Sequence, residues 1–186
     1  MGADKQLLVV GGKPMLLGVL DALLASRVDG VVVVTRSEIA CHIPPRPRLT
    51  IAQNNVADSE MIDSVRIGLA AWRDAGAAAE TGGFLVCPGD HPGIAPADFD
   101  ACMDAFRARP TQIVLAARAG RRGHPILFPA SDVPFVESSA CDAGLHALPR
   151  AFSARVRLVD CASAAVTMDI DTPEDLSAGR SDGDDR

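Results

Sequence analysis

A small set of polar residues in this chain has the makings of a site for phosphate and a divalent cation. Asp90 is the one carboxylate in Val86-Cys87-Pro88-Gly89-Asp90-His91-Pro92-Gly93, a turn that closes an apolar run over residues 82–85. Asp169-Ile170-Asp171 follows a second apolar stretch. Lys5 and Lys13 flank a third, Asn54-Asn55 closes a fourth with Ser64 downstream, and Arg121-Arg122-Gly123-His124-Pro125 reads as a loop. Mg²⁺ takes oxygen ligands, keeps several waters and uses one or two carboxylates together with substrate phosphates. Aspartates from different strand ends suit that habit, and lysine serves phosphate as a point charge. No Gly-x-Ser-x-Gly or Gly-x-Gly-x-x-Gly occurs in the sequence, which argues against a serine hydrolase elbow and a dinucleotide fingerprint.

Each of these groups also has a plain structural reading. Asp90 can brace a Pro/Gly turn through its own backbone hydrogen bonds. Asp169 and Asp171, ahead of Thr172-Pro173, can act as helix caps. Lys13 can be a solvated turn residue, His124 can satisfy a backbone group, and Arg121 with Arg122 can form a solvated face. His91 reads as filling a variable slot in its turn, in contact with substrate at most.

The elements that must position these groups alternate between strand and helix. Pro14 opens a helix that carries Met15, Leu16, Val19, Leu20 and Leu23 to about Ser26. Val31-Val32-Val33-Val34-Thr35 reads as a strand buried on both faces. A Pro-rich loop and a short strand over residues 49–52 come next, then a helix from Met61 capped by Asp58 or Ser59. Residues 82–87 form a strand, Pro96 to about Arg107 a helix, and residues 113–117 another strand. Residues 126–128 and 155–159 continue the pattern, with a short helix between Asp142 and Leu148 and a further helix start at Thr172-Pro173. Alternation of this kind predicts an α/β domain with a mostly parallel sheet.

Bulk properties narrow the function. A chain of 186 residues supports one domain with a substantial core. A net charge of −6 without a basic stripe argues against a nucleic-acid backbone as partner, and one Trp with no Tyr argues against base-stacking platforms. Five cysteines without a Cys-x-x-Cys pair point to neither a zinc knuckle nor a disulfide framework. With no apolar run long enough for a bilayer and no recognisable leader, the expectation is a cytoplasmic protein.

Several motifs occur together in one order: Met1-Gly2-Ala3-Asp4-Lys5-Gln6-Leu7-Leu8 with Gly12-Lys13-Pro14; Asn54 with Met61, Ser64 and Gly68; Gly89-Asp90-His91-Pro92; the run from Gly120 to Phe128; and Asp169-Ile170-Asp171-Thr172-Pro173-Glu174-Asp175-Leu176. In this the chain resembles the MobA-like nucleotidyltransferases, with the molybdenum cofactor cytidylyltransferases as the nearest branch. The resemblance implies a Rossmann-like three-layer domain over residues 1–176 and a disordered tail at 177–186. It implies transfer of CMP, or another NMP, from a nucleoside triphosphate to a phosphorylated acceptor. The acceptor would be molybdopterin cofactor, CTP the favoured donor, Mg²⁺ the cofactor and pyrophosphate the product, with a molybdenum hydroxylase as a further partner.

By matching position, the resemblance makes Lys5 the lysine that neutralises the triphosphate and Asp90 and Asp171 the metal ligands. It places Lys13, Asn54, Ser64, Gly68 and Gly89 around the nucleotide, and Gly123 and His124 beside the acceptor. The family signature opens with a strand and a Leu-Ala-Ala-Gly-x-Ser-x-Arg loop, and this sequence starts after them, so the first strand and its loop are expected to be missing. The alternatives are a non-catalytic cofactor-binding accessory protein for a molybdenum hydroxylase, or a nucleotidyltransferase for another phosphorylated acceptor.

Overall fold

The computed structural model describes residues 5–74 and 82–168. Asp169, Asp171, the helix start at Thr172 and the tail at 177–186 lie outside the described residues. A 3-10 turn at Lys5–Leu7 leads into a short antiparallel ribbon, β1 (Val9–Val10) and β2 (Lys13–Pro14). Gly11 and Gly12 make its two-residue turn with φ of 59° and 82°, the left-handed pair that such hairpins require. Helix α1 (Met15–Ala25) follows and buries Met15, Leu16, Val19 and Leu20.

Strand β3 (Val31–Thr35) and β4 (Leu49–Gln53) pair in parallel in a two-stranded sheet, with the short helix α2 (Ser37–Ala40) between them. Helix α3 (Met61–Asp74) then leads to β5 (Gly83–Val86), and α4 (Pro96–Ala108) to β6 (Ile113–Arg118). Strand β7 (Arg121–Pro129) turns straight back, α5 (Val133–Glu137) and α6 (Ala147–Ala151) follow, and β8 (Val156–Asp160) completes a four-stranded sheet of order β5-β7-β6-β8.

The α/β class is as expected, but the pairing is mixed. Strands β6 and β8 are parallel, whereas β7 runs antiparallel to both β5 and β6. The physical reason is the β6–β7 connection. Ala119 and Gly120 both adopt positive φ, 49° and 79°, and so close a hairpin rather than the crossover a parallel neighbour needs. The stretch expected to be a loop around Gly123 and His124 is therefore strand.

Alternation along β6 sorts the core into two layers. Ile113 and Leu115 pack with Ile62, Val65 and Leu69 of α3 and with Val136 and Leu148. Val114 and Ala116 pack on the other face with Phe99, Cys102, Met103 and Phe106 of α4. A third cluster sets Leu16 and Leu20 of α1 against Val31 and Val33. Residues 113–117 are buried on both faces, whereas β3 is not: Val32 and Val34 are only half-buried.

The far end of the domain is locked by one ion pair. Arg155 donates from both terminal nitrogens to the Asp132 carboxylate, at 3.0 and 2.7 Å, and from Nε to the Thr111 carbonyl at 2.8 Å. Its guanidinium also lies 5.0 Å above the Phe152 ring. The Asp132 side chain is 7% exposed, so its loss strands a planar cation beside a buried hollow. Asp132→Ala is expected to lower the unfolding free energy by about 3 kcal/mol, at the lower end for a broken buried pair because Arg155 retains access to water. Chemical denaturation of the two proteins measures it.

Candidate active site at the carboxyl ends of β3 and β5

Ligands of open α/β sheets bind beyond the carboxyl ends of the strands. Strand β5 ends at Val86, and the turn that follows presents Asp90. Lys5 Nζ donates to Asp90 Oδ2 at 3.0 Å, and His91 Nδ1–H donates to Oδ1, also at 3.0 Å. The His91 bond holds the Asp90 carboxyl well below the usual carboxylate range; burial opposes that shift, and the Lys5 ammonium reinforces it. His91 is itself buried and meets the ring of His124 edge to face, with centroids 4.8 Å apart.

Strand β3 ends at Thr35, whose hydroxyl donates to Gln6 Oε1 at 3.1 Å. Two consecutive residues, Lys5 and Gln6, thus bind the ends of β5 and β3. Both strands therefore point to the same side of the molecule, and between them opens a cleft of about 870 Å³. Its mouth carries Gln6, Ser64, Gly89 and Asp90.

Asn54 lies just behind this mouth, where β4 ends. It is buried; its side chain donates to Ser59 Oγ at 3.0 Å and Ser64 Oγ at 3.2 Å and accepts from the Val56 N–H at 3.3 Å. Ser64 is thereby fixed on the first turns of α3. One helical turn further, a Cβ on Gly68 would sit 3.3 Å from Val34 Cγ2, so glycine lets α3 lie close against β3. The expected cap of that helix differs from the one observed: Asp63 Oδ2 accepts from the Glu60 N–H at 2.9 Å, while Ser59 serves Asn54.

The structure thus brings Lys5, Asn54, Ser64, Gly68, Gly89 and Asp90 together around one cleft. Lys13 stands apart. It pairs with Asp21 of α1, which also binds Arg46, and it is not among the residues that line the cleft. Gly123 and His124 approach Asp90 from β7. A Cβ on Gly123 would lie 1.7 Å from the Val166 carbonyl oxygen, so only glycine allows the 3-10 turn Ala164–Thr167 to dock there. That turn ends one residue before Met168, with Asp169 and Asp171 next in the chain. His91 and Gln6 carry more of the site than the sequence reading gave them. For His91 the available signal was its place beside the carboxylate; Gln6 had none.

Among the described residues, no group of three His, Cys, Asp or Glu side chains is placed to hold a metal ion, and no helix is long and apolar enough to cross a membrane. Asp90 offers one hard oxygen ligand at the mouth, with its side chain 30% exposed. That fits the one or two carboxylates that Mg²⁺-type sites take from protein.

The family model for the MobA-like NTP transferase domain matches residues 1–158. Among curated protein sequences none matches this chain. Of solved structures, the manganese complex of Rv0371C from Mycobacterium tuberculosis H37Rv superposes with a TM-score of 0.72 at 23% identity, covering 95% of this chain and 91% of that one. The 4-diphosphocytidyl-2C-methyl-D-erythritol synthase from Anaerococcus prevotii gives 0.73 at 17% identity, over 95% and 90%. A CMP:2-keto-3-deoxy-manno-octonic acid synthetase complexed with CTP gives 0.64 at 16%, over 95% and 90%. At these identities the likeness is one of fold.

The depressed Asp90 pKa carries a signed expectation. A carboxyl whose folded pKa lies below its unfolded one stabilises the fold above the unfolded value and loses that contribution as pH falls through the folded value. In chelator-containing buffer, Asp90→Asn is expected to unfold at lower denaturant than the parent at pH 6–7. The two midpoints should converge only at pH well below the ordinary value of 3.8. A pH series of denaturation midpoints reads this directly.

Proposed function

The chain belongs to the MobA-like NTP transferase family, and on that premise we propose that it moves a CMP group from CTP to a phosphorylated acceptor, molybdopterin cofactor, and releases pyrophosphate. The observation that carries the reading is the Lys5–Asp90 pair, 3.0 Å apart at the mouth of the cleft. It sets an ammonium and a carboxylate, the two groups that polyphosphate chemistry needs, where α/β sheets bind ligands. The likeness of the fold to a synthetase complexed with CTP supports the donor, and the order of sequence motifs supports the acceptor.

In this reading an acceptor phosphate oxygen attacks the α-phosphorus of the nucleotide as the bond to the bridging β-phosphate oxygen breaks. The protein's task is to position groups and compensate charge, so no side-chain nucleophile is needed. Lys5 exchanges the Asp90 carboxylate for the departing pyrophosphate and takes up the charge that develops there. Asp90 and Asp171 would hold a divalent cation, Mg²⁺ or the Mn²⁺ seen with Rv0371C, which supplies Lewis acidity and a template when bound. His91 keeps the Asp90 carboxylate ionised and oriented. Ser64, held by Asn54, and the Gly89 backbone line the nucleotide side; Gly123 and His124 carry the acceptor side.

Pyrophosphate release from CTP in the presence of Mg²⁺ and molybdopterin tests the reading. Lys5→Ala is expected to lower kcat roughly a hundredfold, the scale for losing one group that stabilises transition-state charge. Asp90→Ala should abolish turnover while circular dichroism shows a folded protein. CTP binding without pyrophosphate release by the parent chain would favour the accessory-protein reading, and transfer to a different phosphorylated acceptor would reassign the substrate.

A further inference from the structure

Two buried thiols take no part in the chemistry above and face each other between α4 and the end of β8. Asp98 and Cys102 lie one turn apart on the same face of α4. Asp98 Oδ1 accepts from the N–H groups of Ala162 and Ser163, at 3.0 and 3.4 Å, which sets that face against the residues immediately after β8. Cys161 is fixed just ahead of them: its N–H donates to the Ala117 carbonyl at 2.8 Å, and its own carbonyl accepts from Arg118 Nη1 at 3.0 Å. This geometry brings the Cys102 and Cys161 side chains into one apolar cluster with Phe99, Val114 and Ala116. There the Cys102 S–H is hydrogen-bonded to the Cys161 sulfur. That bond holds the Cys161 thiol below its ordinary value against the opposing effect of burial, so Cys161 is the readier of the two to act as thiolate. Cys87 packs on the same cluster, but burial pushes its thiol up to about 12.

We propose that Cys102 and Cys161 form a peroxide-responsive dithiol, which closes to an intramolecular disulfide and reopens on reduction. The oxidant has to be small, because Cys102 is 0% and Cys161 3% exposed while Ala162 beside it is at the surface. Hydrogen peroxide meets that limit and a bulky disulfide does not. The Cys161 thiolate attacks one peroxide oxygen and the O–O bond breaks. The sulfur becomes a sulfenic acid, and the other oxygen leaves as hydroxide, which takes up the proton Cys161 had released. The Cys102 sulfur then attacks the sulfenic sulfur, the S–O bond breaks, and the departing hydroxide carries off the Cys102 proton as water. Two thiols are thereby oxidised to one disulfide, and one peroxide is reduced to two waters. In a reducing compartment the pair rests as thiols. Closure adds a covalent bond to the Asp98 contacts that hold α4 against the segment leading to the turn docked on Gly123. It is independent of nucleotidyl transfer.

Hydrogen peroxide added to the native 186-residue chain, followed by peptide mapping without reductant, tests it. Two of the five thiols should become resistant to alkylation in denaturant, the mapped bond should join Cys102 to Cys161, and dithiothreitol should restore both thiols. On closure, amide exchange at residues 162–166 should slow at least about tenfold, as a tethered segment opens less often. Cys102→Ala should form no disulfide and should leave a sulfenic acid at Cys161 that dimedone traps. Cys161→Ala should form no disulfide either, and Cys87→Ala should close as the parent does. The mapping of the parent chain stands even where a variant fails to fold. A disulfide that involves Cys41, Cys87 or Cys141 would overturn the proposal, as would closure only between two copies of the chain. So would peroxide consumed at Cys41 with Cys102 and Cys161 left as thiols, or exchange at residues 162–166 unchanged by the bond.

Discussion

A partly buried carboxylate at the end of a strand has to be compensated, and Asp90 imposes that need on its surroundings. Its two oxygens take one donor each. Lys5 reaches it from the 3-10 turn at the start of the described chain, where the Leu8 N–H bonds back to the Lys5 carbonyl at 3.1 Å. His91 reaches it from the adjacent position and is held by burial and by the His124 ring of β7. Because Gln6 binds Thr35, the residue next to Lys5 also fastens the end of β3. One charge thus connects β3, β5 and β7 at their common end.

The residues around this charge serve packing and chemistry at once. Gly68 brings α3 against Val34 and leaves Ser64, one turn earlier, facing the mouth. Gly123 admits the Val166 carbonyl into van der Waals range of β7 and so docks the turn that leads toward Asp169. Asn54 spends all its polar atoms inside the protein, on Ser59, Ser64 and the Val56 N–H. In the proposed site its effect on a ligand would pass through the serine it orients. A further carboxylate, Asp98, is buried by the same logic: it accepts from the Ala95 N–H at the start of α4 and from the Ala162 N–H after β8.

Much of this was legible in the sequence because apolar spacing reports local structure directly. The runs at 31–35 and 113–117 became strands, and the spacing from Met61 and from Pro96 became helices. What the spacing does not carry is how far each face is covered. A run of strand length looks alike in sequence whether both faces are packed, as along β6, or one is left partly open, as along β3. The direction of β7 was hidden too, because it turns on Ala119 at φ 49°, a conformation that an alanine does not advertise. Lys5 and Lys13 are identical in type and each stands near a glycine; what separates them is Asp21, eight residues from Lys13 and on the inner turns of α1. Such pairings are set by tertiary geometry, which no spacing within one element reveals.

The two donors to Asp90 differ in how firmly they are committed. The His91 side chain is 8% exposed, so pulling it away from the carboxylate would leave a buried polar ring and a buried charge without each other. The Lys5 side chain is 27% exposed, and ion pairs with that access to water contribute on the order of 1 kcal/mol or less. The histidine therefore acts as a fixed support that keeps Asp90 ionised, whereas the lysine can leave at small cost for a stronger anion. In the proposed reaction an arriving polyphosphate would be such an anion, and with Lys5 turned to it one Asp90 carboxylate oxygen would be left without its lysine donor. Under the proposed function, this half-solvated ion pair would separate into a cation for phosphate and an oxygen ligand for a metal.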